Sequence, residues 1–156
     1  MSYFDSAFDI NRFNATIKWI KRAVNEHFLL ADCIAARGVS GVLPLMAICS
    51  KLKKYPWIIR KPTENAHSGN RINLPSENVS YIILDDFIST GAPVKAIIAE
   101  IEKYAESNEM PVPKCLGVVC YQSDSQWRNL PAGFTMKVCV RDGSNNLRVL
   151  NECKTA

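Results

Sequence analysis

Tyr81-Ile82-Ile83-Leu84-Asp85-Asp86-Phe87-Ile88-Ser89-Thr90-Gly91-Ala92-Pro93 is the stretch on which the reading of the chain turns. Its first four residues are an apolar run that predicts a short buried strand. Ser89, Thr90 and Gly91 predict a tight turn, and Pro93 suits the first turn of a helix, where its missing N–H matters little. Free backbone N–H groups and the positive end of a helix dipole then face the turn, which favours a phosphate dianion. Gly91 lets the main chain come close to a ligand. The adjacent carboxylates of Asp85 and Asp86 are foreign to a loop that binds phosphate alone, because they repel it. They fit a ligand that also presents hydroxyls, such as a ribose, or one that brings Mg²⁺.

On either side the pattern alternates between strand and helix. Phe13, Ile17, Ile20 and Val24 predict a helix from Asp9 to Glu26. Leu29 to Ala35 reads as a buried strand, Ala36 to Gly41 as a loop, and Val42 to Lys54 as a second helix whose closing lysines complement its dipole. Pro56 separates that helix from a strand at Trp57 to Arg60. Lys61 to Asn78 is polar and aperiodic, and connections that long are commonly functional or disordered. Beyond Pro93, Val94, Ile97, Ile98 and Ile101 predict a helix to Tyr104. Lys114 to Tyr121 and Thr135 to Arg141 bring the strands to five. Such alternation implies an α/β fold with a mostly parallel sheet between helices. Ligands of such sheets sit beyond the carboxyl ends of the strands, where the turns after Ala35 and Leu84 both lie.

Bulk properties narrow the class. The 156 residues suit one domain, 1–156, with a core of its own. Nineteen basic against fifteen acidic residues leave a charge of +4, which suits an anionic small molecule and permits a weak nucleic-acid contact. No apolar run is long enough for a bilayer, and the first residues do not form a secretory signal, so a cytoplasmic protein with no membrane partner is expected. The six cysteines, Cys33, Cys49, Cys115, Cys120, Cys139 and Cys153, form no C-x-x-C pair and read as small core residues.

The string Ile82 to Gly91 resembles the PRPP-binding motif of the type I phosphoribosyltransferases, where PRPP is 5-phosphoribosyl-1-pyrophosphate. The resemblance implies that Asp85 and Asp86 hold the ribose 2′- and 3′-hydroxyls and, through ribose and water, Mg²⁺. It implies that Phe87, Ile88, Ser89, Thr90, Gly91 and Ala92 contribute to binding PRPP, the 5-phosphate lying against residues 88–92. Ala36, Arg37 and Gly38 resemble the family's pyrophosphate loop, most closely that of its adenine-type members, with Arg60 and Lys61 reaching the same group. That loop often holds a strained or cis non-proline peptide, here Ala36–Arg37, and a trans, unstrained bond counts against an intact pyrophosphate site. Lys61 to Asn78 would be the mobile hood over the reaction, faintly similar to the orotate-type loop. It departs from that loop in having Glu64 and Asn65 where a lysine is expected, leaving Lys61, His67 and Arg71 as its cations.

The chemistry implied is transfer of the phosphoribosyl group from Mg-PRPP to a nucleobase, with release of pyrophosphate. Asp86, Lys61 and Arg37 are the implied catalytic residues, acting by position and charge. Tyr3, Phe4, Trp127, Phe134 and Arg141, in the terminal segments that build the base hood in the family, are candidates for holding the base, which the sequence does not name. A homodimer is expected by analogy. The alternatives are a PRPP- or nucleotide-binding regulator of the same fold, conceivably touching RNA, and an enzyme with a non-nucleobase acceptor.

Overall fold

The computed structural model describes residues 9–61, 79–86, 88–123 and 135–150. Tyr3, Phe4, Phe87, Trp127, Phe134, Cys153 and the stretch 62–78, with His67 and Arg71, lie outside the described residues.

Helix α1 spans Ile10–His27 and begins at Asp9, whose carboxylate accepts from the amides of Asn11 and Arg12 at 3.0 and 3.3 Å. Its apolar stripe, Ile17, Ile20 and Val24 with Trp19 and Ala23, is buried, and Phe13 packs at the margin. Strand β1 is Cys33–Arg37, later than the expected Leu29 to Ala35. Leu29 and Leu30 are 65% and 84% exposed, because pairing with the neighbouring strands begins only at Cys33. Helix α2 follows at once as Gly38–Leu52, so the expected loop from Ala36 to Gly41 is instead strand end and helix start. The cause is packing: a Cβ on Gly41 would stand 2.9 Å from the Cβ of Ala36 and 3.7 Å from the carbonyl oxygen of Leu84. Only glycine admits α2 this close to the sheet.

Strand β2, Tyr55–Ile59, holds Pro56 within it rather than before it, which the sheet edge tolerates. Strand β3 is Ser80–Asp85, helix α3 Ala92–Ser107, strand β4 Lys114–Ser123 and strand β5 Val138–Arg141. A sixth strand, β6 at Leu147–Leu150, was not expected; it returns antiparallel on β5 after a turn with Asn145 at φ 63°. The sheet order is β2-β1-β3-β4-β5-β6, parallel apart from β6.

Alternate residues of the parallel strands feed two cores. Ile34, Ala36, Ile82 and Leu84 pack with α1 and α2 on one face, and Ala35, Trp57, Ile83 and Val118 pack with α3 on the other. Cys33, Cys49, Cys120 and Cys139 are buried and Cys115 is half-buried, filling small gaps as read. Among the described residues no helix is long and apolar enough to cross a membrane. Arg141, a candidate for the base, is only 8% exposed and already engaged: Nε donates to Asn145 Oδ1 at 3.0 Å and Nη1 to Thr16 Oγ1 at 2.9 Å. It ties the β5–β6 turn to α1, which corrects its assignment to the hood.

Gly117 in β4 lets α1 close onto the sheet. It sits at φ 153°, and a Cβ there would stand 2.6 Å from the Phe28 ring and collide with the Lys137 carbonyl. Lys137 holds its ammonium 5.1 Å over the same ring and donates to the His27 carbonyl at 3.2 Å. Gly117→Ala is therefore expected to cost about 1–3 kcal/mol by overpacking. A urea titration should show a lower midpoint at unchanged slope, and an unshifted midpoint would refute the packing argument.

Candidate functional site

The order of the strands fixes where a ligand can sit. From β1 the chain crosses to β2 on one side, and from β3 it crosses to β4 on the other, while β1 and β3 are themselves neighbours. Helices α2 and α3 thus leave adjacent strands on opposite faces of the sheet, opening a crevice at the carboxyl ends of β1 and β3. Ala35 pairs with Ile83, and two residues further along each strand are Arg37 and Asp85. Adjacent strands lie about 4.8 Å apart, so an acid and a base end this pair of strands side by side.

On the β3 side, Asp85 and Asp86 are half-buried. The Asp86 amide donates to Asp85 Oδ1 at 2.9 Å, and the Asp86 carbonyl accepts from the Gln122 amide at 3.0 Å, which pins the loop to β4. Burial, then the side-chain hydrogen bond and the charge of Asp86, push the Asp85 carboxyl up to about 7, against a smaller pull from the Asp86 backbone N–H. Ser89, Thr90 and Ala92 are exposed, and Thr90 Oγ1 accepts from the Ala92 amide at 3.3 Å. Gly91 sits at φ 78° and is the N-cap of α3, with Pro93 in the first turn; no side chain of the cap residue occupies the helix start. Ile88 is buried against Val94 and Val118, so only its main chain faces the loop.

On the β1 side, α2 also starts without a side-chain cap, directly after Arg37. Arg37 Nη2 donates to the Arg60 carbonyl at 3.4 Å, while its Nε is buried without a hydrogen-bond partner among the described residues. Lys61 lies over the turn, its Nζ 3.9 Å from where a Cβ on Gly38 would stand. Residues distant in sequence, Arg37, Gly38, Arg60 and Lys61, are therefore brought together at one lip of the crevice. The peptide between Ala36 and Arg37 is trans, and Arg37 is extended at φ −127°, ψ 139°. This corrects the expectation of a cis or strained bond and counts against a family-type pyrophosphate loop. The turn takes its shape from Gly38 at φ 73° instead.

Sequence reasoning missed two contributors. Gly41 seats α2 against both β1 and the end of β3, and its signal was the Gly-x-x-Gly spacing of Gly38 and Gly41. The Gln122 amide left no signal, since any residue but proline offers one.

An Mg-PRPP molecule fits what is present. Arg37 has a buried donor unused among the described residues, and two helix starts without a side-chain cap offer amides. The half-buried acid pair would gain from hydroxyls or a cation. Among the described residues no group of three or more acidic, histidine or cysteine side chains could hold a metal ion, so a cation here would draw most of its ligands from the substrate and water.

Neither a protein-family model nor a curated protein matches the sequence. Solved structures do match the fold. An adenine phosphoribosyltransferase from Thermoanaerobacter pseudethanolicus superposes with a TM-score of 0.56 at 20% identity, over 74% of this chain and 70% of that one. Another adenine phosphoribosyltransferase gives 0.61 at 18% identity, over 86% and 82%. An orotate phosphoribosyltransferase from Aeropyrum pernix gives 0.56 at 15%, over 82% and 66%. The chain has the type I phosphoribosyltransferase fold, as the resemblance of Ile82 to Gly91 implied.

The acid pair makes stability depend on pH. Unfolded, Asp85 loses its proton near 3.8; folded, it keeps it to about 7. The folded state therefore gains from the proton fully below 3.8, and that gain fades as pH rises through 7. Asp85→Asn should melt above the wild type at pH 8, by a margin that shrinks steadily as pH falls to 4. A calorimetric margin that stays constant across that range would refute the shift.

Proposed function

We propose that this chain is a Mg²⁺-dependent phosphoribosyltransferase that binds PRPP in the β1/β3 crevice and transfers its phosphoribosyl group to a nucleobase. The observation that carries this reading is the meeting of Arg37, Gly38 and Lys61 with Asp85 and Asp86 across two adjacent strands. Asp85 and Asp86 accept hydrogen bonds from the ribose hydroxyls. The start of α3, residues 88–92 with Gly91 as cap, receives the 5-phosphate, with Phe87 between the two groups in sequence. Arg37, Arg60, Lys61 and the amides of the turn at Ala36 to Gly38 take the pyrophosphate.

In the reaction the bond from ribose C1 to the pyrophosphate oxygen breaks, its electron pair leaving with pyrophosphate. A ring nitrogen of the base bonds to C1, and the nitrogen's proton passes to a neighbouring base or to water. Bound Mg²⁺ supplies positive charge to the pyrophosphate and makes it a better leaving group. Arg37 and Lys61 add to that charge from one lip of the crevice, so the chain's own work is orientation and charge stabilisation. Asp86 lies at the acidic centre of the crevice and, on this reading, near the attacking base. In the cell the reading places the protein in the cytoplasm, in nucleotide synthesis or salvage, as a homodimer, whose mass light scattering would report.

The trans Ala36–Arg37 bond and the lack of a lysine at Glu64 and Asn65 favour a second reading. There the chain binds PRPP or a nucleotide and regulates, without turnover.

Incubation with Mg²⁺, PRPP and a panel of purine and pyrimidine bases, followed by pyrophosphate release, separates the two. Release with one base supports the transferase, whereas PRPP binding without release from any base leaves the regulator. Joint replacement Asp85→Asn and Asp86→Asn should abolish PRPP binding by calorimetry, and retained affinity would sink both readings. Arg37→Ala should weaken PRPP binding about 10–100-fold, the loss of a charged hydrogen bond worth roughly 1.5–3 kcal/mol.

A further inference from the structure

A second cavity lies away from the crevice, between α1 and α2. It has a volume of ≈ 440 Å³ and is lined by Asn14, Ile17, Lys18, Lys21 and Lys51. That size falls within the range of small-molecule sites, roughly 300–1,000 Å³. Among the described residues its wall is charged with one sign only.

The lysines are not balanced locally. On α1 the acids are committed elsewhere: Asp9 faces Arg12 at 3.5 Å, and Glu26 faces Arg22 at 2.8 Å and His27 at 3.9 Å. Lys18, Lys21 and Lys51 have no acidic partner within 4 Å among the described residues. Lys18 and Lys21 are three apart on one helix, where like charges repel by a few tenths of a kcal/mol, and Lys51 adds a third from the facing helix. The negative end of the α2 dipole accounts for Lys51 alone, since that residue stands in the last turn. It does not account for two further lysines lining the same hollow. Ile17, buried, forms an apolar floor, and Asn14 adds an amide able to donate or accept.

We infer that this cavity binds a small polyanion carrying two or more phosphate groups, at a site separate from the crevice. Three cations around one hollow match a chain of phosphates better than a single carboxylate, which one of them would neutralise. The location also links it to the crevice mechanically. Helix α2 starts at Gly38, under Lys61, and ends beside Lys51; its 15 residues span about 22 Å at ~1.5 Å each. A ligand at one end therefore bears on the same rigid element that shapes the other.

Inorganic tripolyphosphate is the probe, titrated at low salt into the full ¹⁵N-labelled chain and followed by amide shifts. The uncapped helix start beside Arg37 and Lys61 would attract one end of the probe, although Asp85 and Asp86 repel its middle, so the decisive protein is the variant Arg37→Ala/Lys61→Ala. In that variant the amides of residues 14–21 and 51 should still shift saturably, with a Kd below about 1 mM. Adding Lys18→Gln, Lys21→Gln and Lys51→Gln should weaken this binding at least about tenfold while the remaining spectrum keeps its dispersion. Shifts confined to residues 38 and 90–92 of the wild type would overturn the inference. So would non-saturating shifts reproduced by sodium chloride at equal ionic strength. Saturable shifts with an RNA oligomer but none with tripolyphosphate would overturn it in favour of a nucleic-acid surface.

Discussion

The parallel pairing of β1 with β3 is the constraint on which the rest of the molecule depends. Both strands are buried on both faces, so each must carry apolar side chains in both directions, as Ile34, Ala35, Ala36 and Ile82, Ile83, Leu84 do. A parallel neighbour is reached only through a crossover, and crossovers of one hand running in opposite directions along the sheet place their helices on opposite faces. With β1 crossing to β2 and β3 to β4, the helices diverge and leave the ends of the central strands open. The polar residues at those ends, Arg37 and Asp85, are there because they are the first positions that the two cores no longer cover. The crevice is thus a consequence of topology before it is a matter of any loop.

That placement carries an energetic tension. Asp85 is pushed up to about 7 by burial and by its neighbour, and Arg37 keeps a buried Nε without a partner among the described residues. Each is unfavourable by itself, since desolvated polar groups short of partners cost free energy. Groups of this kind concentrate where a ligand supplies the missing partner. Gly38 and Gly41 sustain the arrangement from the backbone side. A side chain at Gly41 would lift α2 off Ala36 and Leu84, and one at Gly38 would strain the turn beneath Lys61.

The segment from Tyr81 to Pro93 was legible because three signals coincide there: a β-branched apolar run, a carboxylate pair and a glycine–proline helix start. The β1–α2 junction was legible only in its chemistry. Gly38 and Gly41 look like loop residues, and what reserves Gly41 for glycine is that a Cβ there would stand 2.9 Å from Ala36, a constraint that arises only once strand and helix have met. Leu29 and Leu30 misled in the opposite way: an apolar run says nothing of where pairing starts, and pairing begins at Cys33. Strand β6 escaped because Leu147–Leu150 is four residues on an edge, although Asp142-Gly143 already marked a turn. Arg141 was assigned to recognition because it falls in the C-terminal segment, and the family resembled builds its base hood from terminal segments; its two bonds, to Thr16 and Asn145, span separate elements and leave no trace in spacing.

The order of charges along the crevice is more informative than any one residue in it. One lip carries Arg37, Lys61 and the uncapped start of α2; the centre carries Asp85 and Asp86; the other lip carries Gly91 and the uncapped start of α3. A ligand that were phosphate throughout would meet two carboxylates at its middle and be expelled. A ligand that were a plain sugar would leave both helix starts without an anion. The pattern calls for a molecule with anionic groups at both ends and hydroxyls between them, which is the form of a pyrophosphorylated ribose 5-phosphate. Nothing in the order of charges selects a base. On the proposed reading, recognition of the sugar phosphate and choice of the acceptor are therefore separate problems, and the order of charges bears only on the first.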